Sequence, residues 1–160
     1  MELMFATGLR VSELCQLNVQ DMDLVDGIVK IYGKGAKERL VQIGTPEVLV
    51  LLTRYHNAFG GQTAAPFFQN HRGGRLSDQS VRTILNKYTR MIGEPLHVTP
   101  HMFRHSFATL LLEEDVDIRY IQQLLGHSSI TTTQIYTHVA LAKQRDILIH
   151  KHPRNRMVVR

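Results

Sequence analysis

The sequence predicts a mainly α domain with one small antiparallel β-hairpin, an α+β class, and three observations carry that expectation. Apolar residues recur at helical spacing in several stretches, opened by Ser, Thr or Asp and often closed by Gly. A single pair of β-branched runs, Ile28–Tyr32 and residues 39–43, flanks a Gly- and Lys-rich segment. The chain has 160 residues, 43% of them hydrophobic and 21% charged, which suits one soluble domain with its own core. It contains no internal repeat, low-complexity tract or convincing linker, so residues 1–160 are read as one domain.

Taken in order, Leu3, Met4 and Phe5 read as the tail of an apolar helix stopped at Gly8, a residue suited to a left-handed cap. A short helix over residues 12–17 follows, with Leu14 and Leu17 inward. The two β runs enclose Gly33-Lys34-Gly35-Ala36-Lys37-Glu38, a basic hairpin tip. Thr45-Pro46-Glu47 opens a helix running to about Asn57. Residues 60–66 are loop, and Asn70-His71-Arg72-Gly73-Gly74-Arg75 is a basic turn. Ser77-Asp78 opens a helix carrying Val81, Ile84, Leu85 and Tyr88 at helical spacing.

Four further helical stretches complete the chain. Thr99-Pro100 starts one with a stripe of Phe103, Phe107, Leu110 and Leu111. Asp117 caps the next, where Ile118, Ile121, Leu124 and Leu125 face inward before the Gly126 stop. Ser129 begins a third, through Ile130, Ile135 and Val139. Residues 141–150 form a last amphipathic segment ahead of a basic tail, His152-Pro153-Arg154-Asn155-Arg156.

The bulk numbers narrow the function classes. Nineteen Lys and Arg against 14 Asp and Glu give +5, a balance compatible with a polyanionic partner such as nucleic acid, although many basic proteins bind none. The lone Cys15 excludes an internal disulfide and a Cys-based zinc cage, and its apolar neighbours make it a buried thiol rather than a nucleophile. No apolar run approaches the roughly 20 residues of a membrane span, and residues 1–11 lack a signal-peptide pattern, so a cytoplasmic protein is expected.

Chemistry-bearing residues cluster near the two ends. Ala6-Thr7-Gly8-Leu9-Arg10-Val11-Ser12-Glu13-Leu14 places an arginine in an apolar frame, where it needs a carboxylate partner or a ligand. Glu13, at i+3, can orient the guanidinium, although the pair can equally be an ordinary helix ion pair. On the helix after Pro100, positions 101, 104, 105 and 108 share a face opposite the Phe103/Phe107/Leu110/Leu111 stripe. His101 and Arg104 are therefore neighbours, on what is otherwise a solvated polar face. His127 follows the Gly126 stop, and Tyr136 lies nine residues on. Arginine forks can hold a phosphate, imidazoles can share protons, and a phenol can attack, so one set would serve metal-free phosphodiester chemistry. Lys34 lies between two glycines, which let a backbone approach a phosphate, although basic hairpin tips are usually just solvated. Arg72, Arg75, Arg82, Lys87 and Arg90 form a basic run; their default is a solvated face, and on DNA they would meet the backbone.

Together, Ala6-Thr7-Gly8-Leu9-Arg10-Val11-Ser12-Glu13-Leu14, Gly33-Lys34-Gly35, His101-Met102-Phe103-Arg104-His105, Leu125-Gly126-His127 and Tyr136-Thr137-His138 resemble the tyrosine recombinase (phage integrase) family, most of all its Xer and integron-integrase members. The resemblance covers nearly the whole chain in order and spacing. It implies a catalytic set of Arg10, Lys34, His101, Arg104, His127 and Tyr136, with Glu13 as the acidic companion of Arg10. It also implies strand cleavage and rejoining of double-stranded DNA through a covalent 3′-phosphotyrosyl intermediate, with no metal and no nucleotide cofactor. His105 shares the face of His101, but the family pattern selects His101.

The resemblance further implies a separate N-terminal DNA-clamping domain, absent from this sequence, and a chain that begins within its own catalytic domain. It implies protomers assembling as a tetramer on DNA by exchanging C-terminal segments. Leu141, Leu148 and Ile149 are the expected docking stripe, unless the segment folds back on its own domain. Two other readings share these residues: a DNA-binding remnant that cannot cleave alone, and a type IB topoisomerase-like relaxing enzyme.

Overall fold

The computed structural model describes residues 1–33, 38–59, 65–93, 97–126 and 138–157. Its elements run α1 (Glu2–Thr7), α2 (Val11–Gln16), β1 (Met22–Asp23), β2 (Ile28–Tyr32), β3 (Glu38–Gln42), α3 (Pro46–Phe59), α4 (Asp78–Ile92), α5 (Pro100–Glu113), α6 (Ile118–Leu125) and α7 (His138–Lys151), with short 3-10 turns at Val19–Asp21 and Pro153–Arg156. The expected α+β class is what forms.

The expected hairpin is present, with Ile28 opposite Gln42 and Tyr32 opposite Glu38. A third strand extends it, because Met22 and Asp23 pair with Val29 and Ile28. Two residues are too few for alternation to register in a sequence, and this strand was not expected. Gly8 (φ 65°) stops α1 and Gly126 (φ 67°) stops α6, both in the left-handed region that glycine enters without strain. The Ser77 hydroxyl accepts from the Ser80 amide at α4, and the Asp117 carboxylate accepts from the Arg119 amide at α6, as caps should.

Two apolar cores hold the layers. The larger joins α1, α2, the sheet, α3 and α4 around Leu3, Met4, Leu9, Val29, Ile31, Val41, Val48 and Leu85. The smaller gathers Phe107 and Leu111 of α5, Ile121, Leu124 and Leu125 of α6, and Leu148 of α7. They meet at the Gly8 turn, where a Cβ would lie 2.6 Å from Phe107 Cδ1 and 2.7 Å from Leu125 Cδ2. Only a residue without a side chain lets the second core press against that turn.

Several expectations need correcting. Ile118 is 56% exposed rather than inward, because it is the first helical residue after the Asp117 cap and the buried stripe begins at Ile121. Ile84 and Tyr88 share the helical stripe of Val81 and Leu85 but are exposed. In the basic tail, His152 and Arg154 are buried. His152 is 1% exposed between the Phe5 and Phe107 rings, and Arg154 donates to Glu2 Oε2 at 2.7 Å. These contacts and Leu148 seat α7 on its own domain, while Ile149 stays exposed. The stretch from Ser129 through Ile135 lies outside the described residues, as does the side chain of Leu141.

Candidate functional site

The site begins at the turn after α1. Gly8 ends that helix, and Arg10 forms the N-cap of α2 in an extended conformation. Glu13, one turn in, reaches back so that its Oε2 accepts from the Arg10 amide at 2.9 Å. Its Oε1 accepts from Arg10 Nη1 at 3.0 Å. The short span from 10 to 13 thus fixes both the helix start and the guanidinium. The expected Arg10–Glu13 pairing forms.

Glu13 also has a second partner, Arg39 of β3. The two meet fork to fork, Nη1 to Oε1 and Nη2 to Oε2, each at 2.8 Å. Both side chains are buried, whereas that of Arg10 is 47% exposed. Burial pushes the Glu13 carboxyl up, but hydrogen bonds from Arg39 and Arg10 outweigh it and hold the group below its ordinary range. Arg39 was not among the expected site residues. The alternation of β3 carried a signal for it, since Arg39 and Val41 occupy one face and Val41 is core. A charged residue on the inward face of a strand requires a partner.

Arg104 approaches from α5. Sequence periodicity put it on a solvated face with His101, His105 and Ala108. The buried stripe of α5 instead runs Pro100, Arg104, Phe107 and Leu111, and Arg104 is 8% exposed. Its position lies at the edge of the apolar stripe, where contact with the Gly8 turn covers it. Nη1 donates to the Gly8 carbonyl and Nη2 to the Leu125 carbonyl, both at 2.7 Å. These carbonyls end α1 and α6, so one guanidinium joins the two motif-bearing turns. Burial, then repulsion from Arg10, lowers Arg104 to about 10, which leaves it charged at neutral pH. The electrostatic neighbours of Arg104 are Arg10, Glu13 and Arg39. Three guanidinium charges less one carboxylate leave this group at +2.

His101 and His105 are both exposed on α5. Lys34, His127 and Tyr136 lie outside the described residues. Gly126, directly before His127, packs so closely on Arg39 that a Cβ there would sit 2.8 Å from its Nε.

The expected DNA-contacting residues Arg72, Arg75, Arg82, Lys87 and Arg90 are all exposed. Arg75 also donates to the Cys15 carbonyl at 2.9 Å and to Asn18 Oδ1 at 2.6 Å, which fastens the basic turn to the end of α2. Cys15 is buried, and desolvation followed by the neighbouring Asp78 pushes its thiol up to about 12, so it is no nucleophile. Among the described residues no helix is long and apolar enough to cross a membrane.

The chain is similar to known proteins in sequence and in fold. A tyrosine recombinase of Agathobacter rectalis is 59% identical over 155 residues, which cover 96% of this chain and 51% of that protein. The crystal structure of XerA recombinase superposes with a TM-score of 0.71 at 34% identity, over 89% of this chain and 54% of that one. XerH recombinase, solved bound to its difH substrate, gives 0.66 at 26% identity over 97% of this chain and 42% of that one. The chain thus spans about half the length of the curated relatives it matches. The model of the phage integrase family matches residues 1–143, and together with these likenesses it shows that the chain belongs to that family.

Proposed function

We propose that this chain is the catalytic domain of a site-specific DNA recombinase, which cleaves and rejoins DNA strands through a phosphotyrosyl ester on Tyr136. The observation that carries the reading is the grouping of Arg10, Arg39 and Arg104 around one carboxylate, with a net positive charge suited to a phosphodiester. Arg10 and Arg104 grip the non-bridging oxygens and stabilise the charge that grows as the phosphorus becomes five-coordinate. The Tyr136 oxygen attacks phosphorus while the bond to the 5′ oxygen breaks. The phenol, with a pKa near ~10, gives up its proton with help from His101. Lys34 supplies a proton to the departing 5′ oxygen, and His127 donates a hydrogen bond to the phosphate. The ester conserves the energy of the broken bond, so the reverse attack by a 5′ hydroxyl needs no ATP.

Double-stranded DNA is the partner, and a cytoplasmic location follows from that role. The exposed Arg82, Lys87 and Arg90 of α4, with Arg72 and Arg75 of the basic turn, contact its phosphates. Four protomers act together on DNA, passing the C-terminal segment to a neighbour in place of the seat it takes on its own domain.

The test is incubation with a nicked duplex whose cleaved end diffuses away and traps the covalent complex. A protease-sensitive adduct that disappears in Tyr136→Phe is expected. DNA binding without an adduct at any protein concentration would instead make the chain a binding remnant. Relaxation of supercoiled plasmid without paired sites would favour a topoisomerase-like activity.

A further inference from the structure

We propose that Arg39 is a positioning residue for strand cleavage, holding from β3 both the carboxylate that orients Arg10 and the glycine turn that leads into His127. The inference rests on the recombinase reading above. Arg39 is buried at 7% exposure and spends both terminal nitrogens on Glu13, each at 2.8 Å. That bidentate grip leaves Glu13 little freedom to rotate, and Glu13 in turn holds Arg10 by its amide and its Nη1.

The other side of the same guanidinium covers Gly126. A Cβ at that residue would stand 2.8 Å from Arg39 Nε, 2.9 Å from Cδ and 3.0 Å from Cζ. Gly126 already needs glycine for its φ of 67°, and the contact adds a second, independent reason. Arg39 Nε is buried without a hydrogen-bond partner among the described residues, and this remaining donor lies against the turn. An arginine placed only to balance Glu13 needs no glycine packed against it. Because Arg104 binds the carbonyls on either side, Gly8 and Leu125, the two turns are set against each other by two guanidiniums from different elements.

A lysine cannot replace this geometry, since one ammonium lacks both the planar fork that meets Glu13 and the Nε that lies against Gly126. The carboxylate has three cationic neighbours: Arg10 at the start of its own helix, Arg39 from β3 and Arg104 from α5. Without Arg39, burial of Glu13 persists while its strongest hydrogen bonds go, so its pKa rises. The ionised, orienting form is then lost as pH falls and regained as pH rises.

Arg39→Lys and Arg39→Met in the full chain test this by single-turnover formation of the Tyr136 adduct between pH 6 and 9, beside DNA affinity, melting temperature and a 13C NMR titration of the Glu13 carboxyl. A drop in cleavage of roughly 30-fold or more is expected near neutral pH, with part of it recovered on raising the pH. DNA affinity should change by less than about threefold, because the phosphate contacts of α4 are intact. Arg39→Lys serves where the methionine variant does not fold. Wild-type cleavage by either folded variant overturns the proposal. So does a loss in which affinity, melting and rate fall together with no recovery at high pH. If the wild type forms no adduct, the recombinase reading fails, and the Glu13 titration decides the clamp by itself. An upward shift in the Arg39 variants supports it, and an unchanged titration overturns it.

Discussion

Replacing Arg104 by lysine separates its hold on the fold from its proposed hold on a phosphate. In the wild type the guanidinium spans two carbonyls on different elements, Gly8 at the end of α1 and Leu125 at the end of α6, at 2.7 Å each. A lysine ammonium sits at one point and reaches one of them. The other carbonyl, in a site where Arg104 is 8% exposed, loses its described partner. Leaving such a group unsatisfied costs about 2 kcal/mol. For a domain of this size that lowers the melting temperature by about 4–8 °C. A chain stable by several kcal/mol remains folded at 25 °C, so unfolding alone leaves the cleavage rate there nearly unchanged. The rate should nevertheless fall about 10²–10³-fold, the usual consequence of losing one oriented donor to a developing oxyanion. Urea unfolding and calorimetry measure the first effect, and adduct formation on a nicked duplex at 25 °C measures the second. A variant as stable as the wild type would refute the carbonyl bridge. A stable or unstable variant that cleaves within about fivefold of the wild type would refute the role at the phosphate.

Two further outcomes concern the C-terminal segment. Leu148 is fully buried in the core of Phe107 and Leu111, and its neighbour Gly44 admits no Cβ beside it, so Leu148→Ala should cost about 3–4 kcal/mol in urea unfolding. A loss below about 1 kcal/mol, or a wild-type melting temperature that rises with protein concentration, would show that α7 does not pack on its own domain. His152 accepts at Nδ1 from the Arg154 amide and so carries its proton at Nε2, where it donates to the Phe5 carbonyl at 3.2 Å. Burial lowers its pKa in the fold, so the stability it lends is full above the unfolded value of 6.5 and is lost as pH falls through the depressed folded value. His152→Gln should flatten the acid limb of stability against pH, and an acid limb identical to the wild type's would refute the assignment.

What the sequence discloses here depends on how local the cause is. The caps at Ser77 and Asp117 and the stops at Gly8 and Gly126 are decided by one or two residues, and each stands where it was expected. The Arg10–Glu13 contact is a one-turn pairing and was equally legible. Arg104 was legible as a residue type but not as an environment. Helical spacing placed it on the polar face, and only the Gly8 turn, 96 residues away, turns that edge of the helix into an interior. Arg39 is the clearest case of what stayed hidden. Its partner is 26 residues distant, and an arginine opening a β-branched run reads as an ordinary strand end until Val41 fixes which face is core. The packing of His152 and Arg154 was hidden for the same reason, because a basic composition does not reveal that Phe5, Phe107 and Glu2 will surround them.

The chemistry of the acceptors explains how this site retains its charge. Arg39 faces a carboxylate through both nitrogens, and the cost of burying it is met by that pairing. Arg104 is buried just as deeply, yet its described partners are neutral carbonyls. Carbonyls hold a guanidinium in place by hydrogen bonds alone and do not cancel its charge. Arg10 shares with Arg39 a carboxylate that can neutralise only one of them. The fold therefore orients three guanidiniums while compensating one, and burial first, then repulsion from Arg10, lowers the pKa of Arg104. On the proposed recombinase reading, a phosphodiester entering beside Arg10 and Arg104 would supply the missing negative charge to groups already oriented for it. The gain would be greatest when the phosphorus becomes five-coordinate and its oxygens carry more charge, so that the electrostatic imbalance of the free protein would favour the transition state over the bound ground state.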